Sequence, residues 1–294
     1  MSVASGSKLG KWTIETQLGE GAHGTVWTVM DNEGREGVVK VEPARSTSIK
    51  WEIAILSRLG SKGKDTNIVP LLDSGETTNE QGDALAFMVM KKIDVDVVRV
   101  LNGADHKEQA LRLGMQLLKA IHDLHSEGVL HRDLKPENMA LQPAAQPDQY
   151  VLTLFDLGLS RMYTDNEGDV RTPRTWVGMR GTREWASGRA EEGREQTRID
   201  DLWSWFYCLI EWFNNDTSLP LPWTDRGKLH RAWLKSSYAP VKYLLRNCPR
   251  TFYSIHAYLR MVLPHQCPNY LLLAKLVVKS LEELEAQGKK PTYG

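Results

Sequence analysis

The chain has 294 residues, 41% of them apolar and 25% charged, and its 37 basic and 37 acidic side chains cancel. That is enough chain for two lobes with sizeable cores, and the composition is that of an ordinary globular protein rather than a disordered one. Zero net charge gives no whole-chain reason to expect nucleic acid or an acidic membrane as partner.

The stretch Met1 to Lys8 is small and polar and lacks the apolar core of a signal peptide. Position 2 is Ser2, so the glycine needed for myristoylation is absent. Residues 11–42 alternate apolar and polar, as half-buried antiparallel strands do. Within them lies Gly19-Glu20-Gly21-Ala22-His23-Gly24-Thr25-Val26, flanked on both sides by strand-like sequence. Glycines let backbone amides approach phosphate oxygens. A dinucleotide-binding turn shares these spacings but should open a helix, and Trp27-Thr28-Val29-Met30 does not. His23 reads as a solvated tip residue. Val38-Val39-Lys40-Val41 is a third strand whose single lysine needs a partner if buried. Glu52 offers one, on a helix expected over Ser46 to Leu59 with Ile49, Ile53, Leu56 and Leu59 on its apolar face. Asn67 to Leu72 and Ala84 to Met90 complete an expected sheet of five strands, and Met90-Lys91-Lys92-Ile93 leads the chain out of it.

Asp105 to Gly128 carries apolar residues at three- and four-residue spacing and ends on a glycine suited to a C-terminal cap. His122 and His125 do not complete a ligand set with His131, so no histidine metal site is expected. The helix delivers the chain to His131-Arg132-Asp133-Leu134-Lys135-Pro136-Glu137-Asn138. Asp133 can take a hydroxyl proton, Lys135 supplies positive charge, and Asn138 supplies an amide oxygen for a metal; phosphoryl transfer needs that set. Gln142 to Gln149 reads as a surface turn, and Val151 to Phe155 as a short strand ending in Asp156-Leu157-Gly158, a carboxylate placed to bind Mg²⁺. Arg161, Arg171, Arg174, Arg180 and Arg183 fall in the next stretch, joined by Arg132, with Asp165, Glu167 and Asp169 against them. They read either as a solvated loop or as an anion-binding surface, since arginine binds phosphate bidentately.

Asp201 opens an apolar helix and can receive backbone N–H groups of the 131–138 loop. The most apolar run, Leu202 to Phe213, is about half the ~20 residues of a membrane span and contains Ser204 and Glu211, so it reads as a core helix. Leu229 to Tyr238, Tyr253 to Val262 and Asn269 to Glu285 are helical in pattern. Cys208, Cys248 and Cys267 are an odd, sparse set that points to a reducing, intracellular compartment, the cytoplasm with the nucleus left open.

In these motifs the chain resembles eukaryotic protein kinases over residues 11–285, with the catalytic-loop pattern H-R-D-L-x-x-x-N intact. The resemblance implies an α+β bilobal fold: a flexible N-terminus over 1–10, an N-lobe of a five-stranded antiparallel sheet plus a helix over 11–90, a hinge at 91–94, a mostly helical C-lobe over 95–285 and a tail beyond. It implies transfer of the γ-phosphoryl group of Mg-ATP to Ser or Thr of a protein. Leu18, Gly19, Glu20, Gly21, Ala22, His23, Gly24, Thr25, Val26, Val38, Lys40, Met90 and Ile93 would then line the nucleotide. Lys40 would hold the α- and β-phosphates with Glu52 orienting it, Asn138 and Asp156 would bind Mg²⁺, Asp133 would orient the hydroxyl, and Lys135 would stabilise the γ-phosphoryl group.

Gly181-Thr182-Arg183-Glu184-Trp185-Ala186-Ser187, Asp200-Asp201 and Leu221-Pro222-Trp223 resemble the casein kinase I group. Trp203 and Arg171-Thr172-Pro173-Arg174 look most similar to its tau-tubulin kinase branch. That group implies a monomer acting on protein substrates, acidic or pre-phosphorylated ones among them, with Arg132, Arg161, Arg174 and Arg180 as candidate anion ligands. Three positions depart from its pattern: Glu184 reverses the charge of an arginine, Phe206 replaces a glycine, and Leu157 replaces phenylalanine. A kinase-fold scaffold or nucleotide-binding regulator with little transfer activity is the alternative.

Overall fold

The computed structural model describes residues 3–21, 24–61, 66–93, 95–101, 103, 105–146, 149–217, 219–224, 228–236 and 240–288. The chain is mixed α+β and forms two compact units, residues 1–94 with 155–158, and residues 95–154 with 159–294.

The first unit is built on β1 (Lys8–Leu9), β2 (Trp12–Glu20), β3 (Thr25–Asp31), β4 (Glu36–Pro43), β5 (Leu71–Thr78), β6 (Ala84–Lys91) and one helix, α1 (Thr47–Gly60). The sheet order is β1-β2-β3-β4-β6-β5, with all neighbours antiparallel. Trp12, Ile14, Trp27, Val29, Val39 and Val41 belong to one buried cluster on a single face. The two-residue alternation of a strand therefore turns Val38 and Lys40 to the opposite face of β4. Two details differ from the sequence reading. A sixth strand, β1, is only two residues long and carries no visible alternation. The strand expected at Asn67 to Leu72 runs instead over Leu71–Thr78, an edge strand rich in polar residues, where apolar patterning has little to mark.

The second unit contains β7 (Val95–Asp96), α2 (Val97–Val100), α3 (His106–Ser126), β8 (Val129–Leu130), β9 (Met139–Pro143), β10 (Tyr150–Leu154), β11 (Arg161–Met162), α4 (Gly188–Glu191), α5 (Arg198–Phe213), α6 (Lys228–Lys235), α7 (Val241–Leu244), α8 (Arg250–Met261) and α9 (Tyr270–Gly288). Helices α3 and α5 pack on each other; Trp205 Nε1 of α5 donates to the Gly114 carbonyl of α3 at 2.7 Å. Gln142 and Pro143, expected in a surface turn, belong instead to β9, which pairs β10 antiparallel with Leu141 opposite Leu152. Pro147 and Tyr238 lie outside the described residues. Among the described residues, no helix is long and apolar enough to cross a membrane.

Helix α5 is buried along almost its whole length, and two of its acids sit in its first turn. Thr197 and Asp200 form a capping box there, the carboxylate accepting the Thr197 N–H at 2.7 Å. Near the other end, Glu211 accepts the Trp185 indole N–H at 2.7 Å. Burial pushes its carboxyl up to about 7, with Glu137 and Glu184 adding to the shift. A carboxyl whose folded pKa is raised costs stability as pH climbs from the ordinary glutamate value through 7. Glu211→Gln keeps an acceptor for Trp185 and removes that cost. Thermal unfolding should therefore show E211Q equal to wild type near pH 4 and more stable than wild type near pH 8.5.

Candidate active site

In the first unit the side chains converge on Lys40. Its Nζ lies 2.8 Å from Glu52 Oε2, 3.3 Å from Glu42 Oε1 and 3.6 Å from Asp156 Oδ1. Burial opposes the charge, but the three carboxylates outweigh it and hold the pKa above the ordinary lysine value. This pair differs in kind from Lys50–Glu76, whose side chains are 55% and 63% exposed. An exposed pair contributes about 0–1 kcal/mol, whereas removing one partner of a buried pair costs about 3–5 kcal/mol. The second Glu52 oxygen accepts the Leu157 N–H at 2.8 Å, which ties α1 to the Asp156-Leu157-Gly158 turn. Asp156 holds a φ of 62°, a left-handed conformation that is strained for a non-glycine residue. Its side chain stays 44% exposed and open to a further partner.

The expected nucleotide-lining residues fall into adjoining ladder positions. Gly19 pairs with Val26, Val26 with Lys40, and Val38 with Met90. Leu18, Glu20 and Thr25 lie on the same β2–β3 ribbon, and Ile93 follows β6. Ala22 and His23 lie outside the described residues. Gly21 N–H donates to the Gly24 carbonyl at 2.9 Å. A Cβ on Gly24 would stand 2.0 Å from the Val41 carbonyl oxygen, so only glycine fits where the ribbon meets β4; Gly19 has open space.

In the second unit the 131–138 loop is organised by Asp201. This carboxylate is fully enclosed and accepts the His131 N–H at 2.8 Å, the Arg132 N–H at 2.9 Å and His125 Nε2 at 2.9 Å. Burial would raise its pKa, but these donors overcome the burial and hold it below the ordinary aspartate value. His125 is pushed down by burial and stays neutral, with its Nε2–H on Asp201 and its Nδ1 accepting the Tyr270 hydroxyl at 2.6 Å. Arg132 takes a φ of 69°, and Asp201 holds that strained turn from beneath.

The turn aims Asp133 at a second segment. The Asp133 Oδ1 accepts the Thr182 N–H at 2.7 Å, and Lys135 Nζ stands 3.5 Å from Oδ2 and 3.2 Å from the Thr182 hydroxyl. Gly181 makes this contact possible: its φ is 87°, and a Cβ there would lie 2.4 Å from the Arg132 carbonyl oxygen. Asn138 Nδ2 donates to the Asp133 carbonyl at 2.9 Å, which leaves the amide oxygen as its ligating group. The Asn138 amide oxygen in the second unit and the Asp156 carboxylate in the first are each hard oxygen donors of the kind Mg²⁺ takes. Among the described residues no group of three His, Cys, Asp or Glu could hold a metal ion.

The arginines of the candidate anion site meet an internal carboxylate. Glu195 binds Arg174 through Nε and Nη2 and lies 3.6 Å from Arg161. Its side chain is 8% exposed, and the two arginines hold its pKa below the ordinary value against the effect of burial. Arg132 Nε donates to the Leu159 carbonyl at 2.7 Å, and burial pushes its pKa down to about 10. The Arg180 carbonyl accepts from Gln196. Sequence reading reached Asp201 through its place at the head of an apolar helix. It missed Thr182, Tyr270 and Glu195, whose contacts span 21 to 145 positions and leave no local pattern.

Asp201→Asn replaces one acceptor oxygen with a donor and leaves a buried N–H without a partner. Urea unfolding should show a loss of about 2–4 kcal/mol.

Comparison with known proteins agrees with this geometry. The chain matches the protein kinase domain family over residues 12–239. A Dictyostelium discoideum protein named as a serine/threonine-protein kinase is 30% identical over 94% of this chain, which spans about half, 55%, of that relative's length. A Caenorhabditis elegans protein named as a proposed casein kinase I is 30% identical, with 78% of this chain and 67% of the relative covered. The Caenorhabditis elegans serine/threonine-protein kinase spe-6 is 26% identical, covering 96% of this chain and 74% of its own. The matched span takes in the Lys40–Glu52 pair, the Asp133 loop and the Asp201 anchor alike: the chain belongs to the protein kinase domain family.

Proposed function

We propose that the chain is a protein serine/threonine kinase of the casein kinase I group, using Mg-ATP, with motifs nearest the tau-tubulin kinase branch. The observation that carries the reading is the Asp133 carboxylate, held at 2.7 Å by the Thr182 N–H with the Lys135 ammonium 3.5 Å away. A carboxylate so fixed is ready to receive a hydroxyl hydrogen, and the lysine beside it neutralises charge on a transferring phosphoryl group. Lys40, locked by Glu52, engages the α- and β-phosphates. The chemistry that bound Mg²⁺ supplies is neutralisation of phosphate charge, with the Asn138 oxygen and Asp156 as its protein ligands. Asp133 orients the attacking hydroxyl and accepts its proton as the oxygen–phosphorus bond forms, while the bond from the γ-phosphorus to the bridging oxygen breaks and ADP leaves.

Group assignment draws support from how its motif residues are used. Ser187 donates to Asp200 at 2.6 Å, and Trp223 Nε1 donates to the Glu184 carbonyl at 3.0 Å, so the three shared strings support one another. The Glu184 carboxylate accepts the Thr224 hydroxyl at 3.0 Å, an acid where that group carries a base. The substrates are proteins with Ser or Thr hydroxyls, acidic or pre-phosphorylated ones among them, with Glu184 opposing a priming phosphate at this segment. Intracellular action is part of the proposal, on the strength of Cys208, Cys248 and Cys267 being free thiols.

With γ-labelled ATP, Mg²⁺ and casein, Asp133→Asn should lower turnover by roughly 10²–10⁴-fold while binding of nucleotide persists. Turnover equal to wild type removes Asp133 from the mechanism. Lys40→Met should abolish transfer, and normal incorporation in that variant excludes its phosphate role.

A further inference from the structure

Lys235 ends α6 with its side chain 0% exposed. Its Nζ donates to the Arg183 carbonyl at 2.8 Å, the Glu184 carbonyl at 3.0 Å and the Ala186 carbonyl at 2.7 Å, and lies 3.0 Å from Glu191 Oε1. It also stands over the rings of Trp223 and Tyr207, 4.7 and 5.1 Å from their centroids. A lysine is rarely buried, since leaving water opposes its charge. Here a ring of carbonyls replaces the water, and it belongs to a single short stretch of chain. That stretch follows Thr182, whose N–H donates to Asp133 and whose hydroxyl receives Lys135. The Trp185 and Ala186 N–H groups in turn donate to the Thr182 carbonyl, at 3.2 and 3.0 Å. The ammonium therefore holds the segment on one side and Asp133 meets it on the other.

We propose that Lys235 is a positioning residue for phosphoryl transfer: it gathers the 183–186 carbonyls into one fixed turn, so that Thr182 presents its N–H to Asp133. The inference rests on the kinase reading above and extends it to a residue far from the catalytic loop in sequence. Because Lys235 is enclosed and spends its hydrogens internally, it offers no charge to an anionic substrate. Burial pushes its pKa down to about 8, while Glu191 and Glu184 support the charge and Arg231 opposes it. Those three and the Tyr207 ring are the titratable or charged groups facing it from the segment, α4, α6 and α5.

Lys235→Met keeps the stem and removes the ammonium. Amide hydrogen exchange followed by mass spectrometry should quicken at residues 182–186 while α3 keeps wild-type protection. In peptide phosphorylation, kcat should fall roughly 10- to 100-fold with the KM for ATP unchanged, as expected of a misplaced catalytic group. Wild-type kcat should decline above about pH 8, and that alkaline limb should be absent from K235M. Unchanged exchange at 182–186, or a uniform loss of protection across the unit, overturns the proposal; the second outcome marks a merely structural lysine. Should K235M not fold, Glu191→Gln must move the alkaline limb to lower pH, and an unmoved limb overturns it. If the wild type transfers no phosphoryl group at all, the kinase reading fails, while the exchange result still decides whether Lys235 sets Thr182.

Discussion

A buried negative charge with both oxygens hydrogen-bonded is the constraint behind this site. Asp201 gives up water entirely, and in exchange takes two backbone N–H groups and the neutral His125 ring. Removing a carboxylate from water is costly unless such donors replace the lost hydration. Once replaced, the same arrangement becomes stiff, because any shift of the loop strips a hydrogen bond from an enclosed charge. The strained φ of 69° at Arg132 is held by that stiffness, and the direction of Asp133 follows from it.

The first unit solves a matching problem with the opposite sign. Lys40 is an ammonium on a strand whose neighbours Val39 and Val41 face the core. Glu52, Glu42 and Asp156 surround it, an excess of negative charge around one cation. That excess holds the lysine protonated and leaves Asp156 partly exposed, so the cluster is ready for a cation or for charge arriving from outside. Glu52 does double duty, since its other oxygen fixes the Leu157 N–H and thereby the turn that presents Asp156. Leu157 is completely buried, so leucine fills an apolar slot here.

What could be read from the sequence was whatever a short window encodes. Alternation in 11–42 marked the strands, three- and four-residue spacing marked α1, α3 and α5, and the Gly19 to Val26 and His131 to Asn138 strings marked their loops. Asp201 was legible as well, because a carboxylate at the head of an apolar helix has few other uses. The edge strand β5 was displaced in the reading, since one open side lets polar residues occupy it. Strand β9 was hidden behind the functional string it follows, and its Pro143 looked like a turn. Glu195 and Lys235 carry no local mark at all. An acid facing Arg161 and Arg174, or a lysine caged by carbonyls 49 to 52 positions away, exists only once the chain has folded.

The chemistry proposed for the Asp133 loop is transfer of a phosphoryl group to a hydroxyl. Mass spectrometry of a serine-containing protein substrate, after incubation with the purified full chain and Mg-ATP, tests it most directly. A phosphate ester on a serine or threonine side chain is the expected product. Bound nucleotide with every hydroxyl left unmodified would contradict it, and would mark the chain as a kinase-fold scaffold.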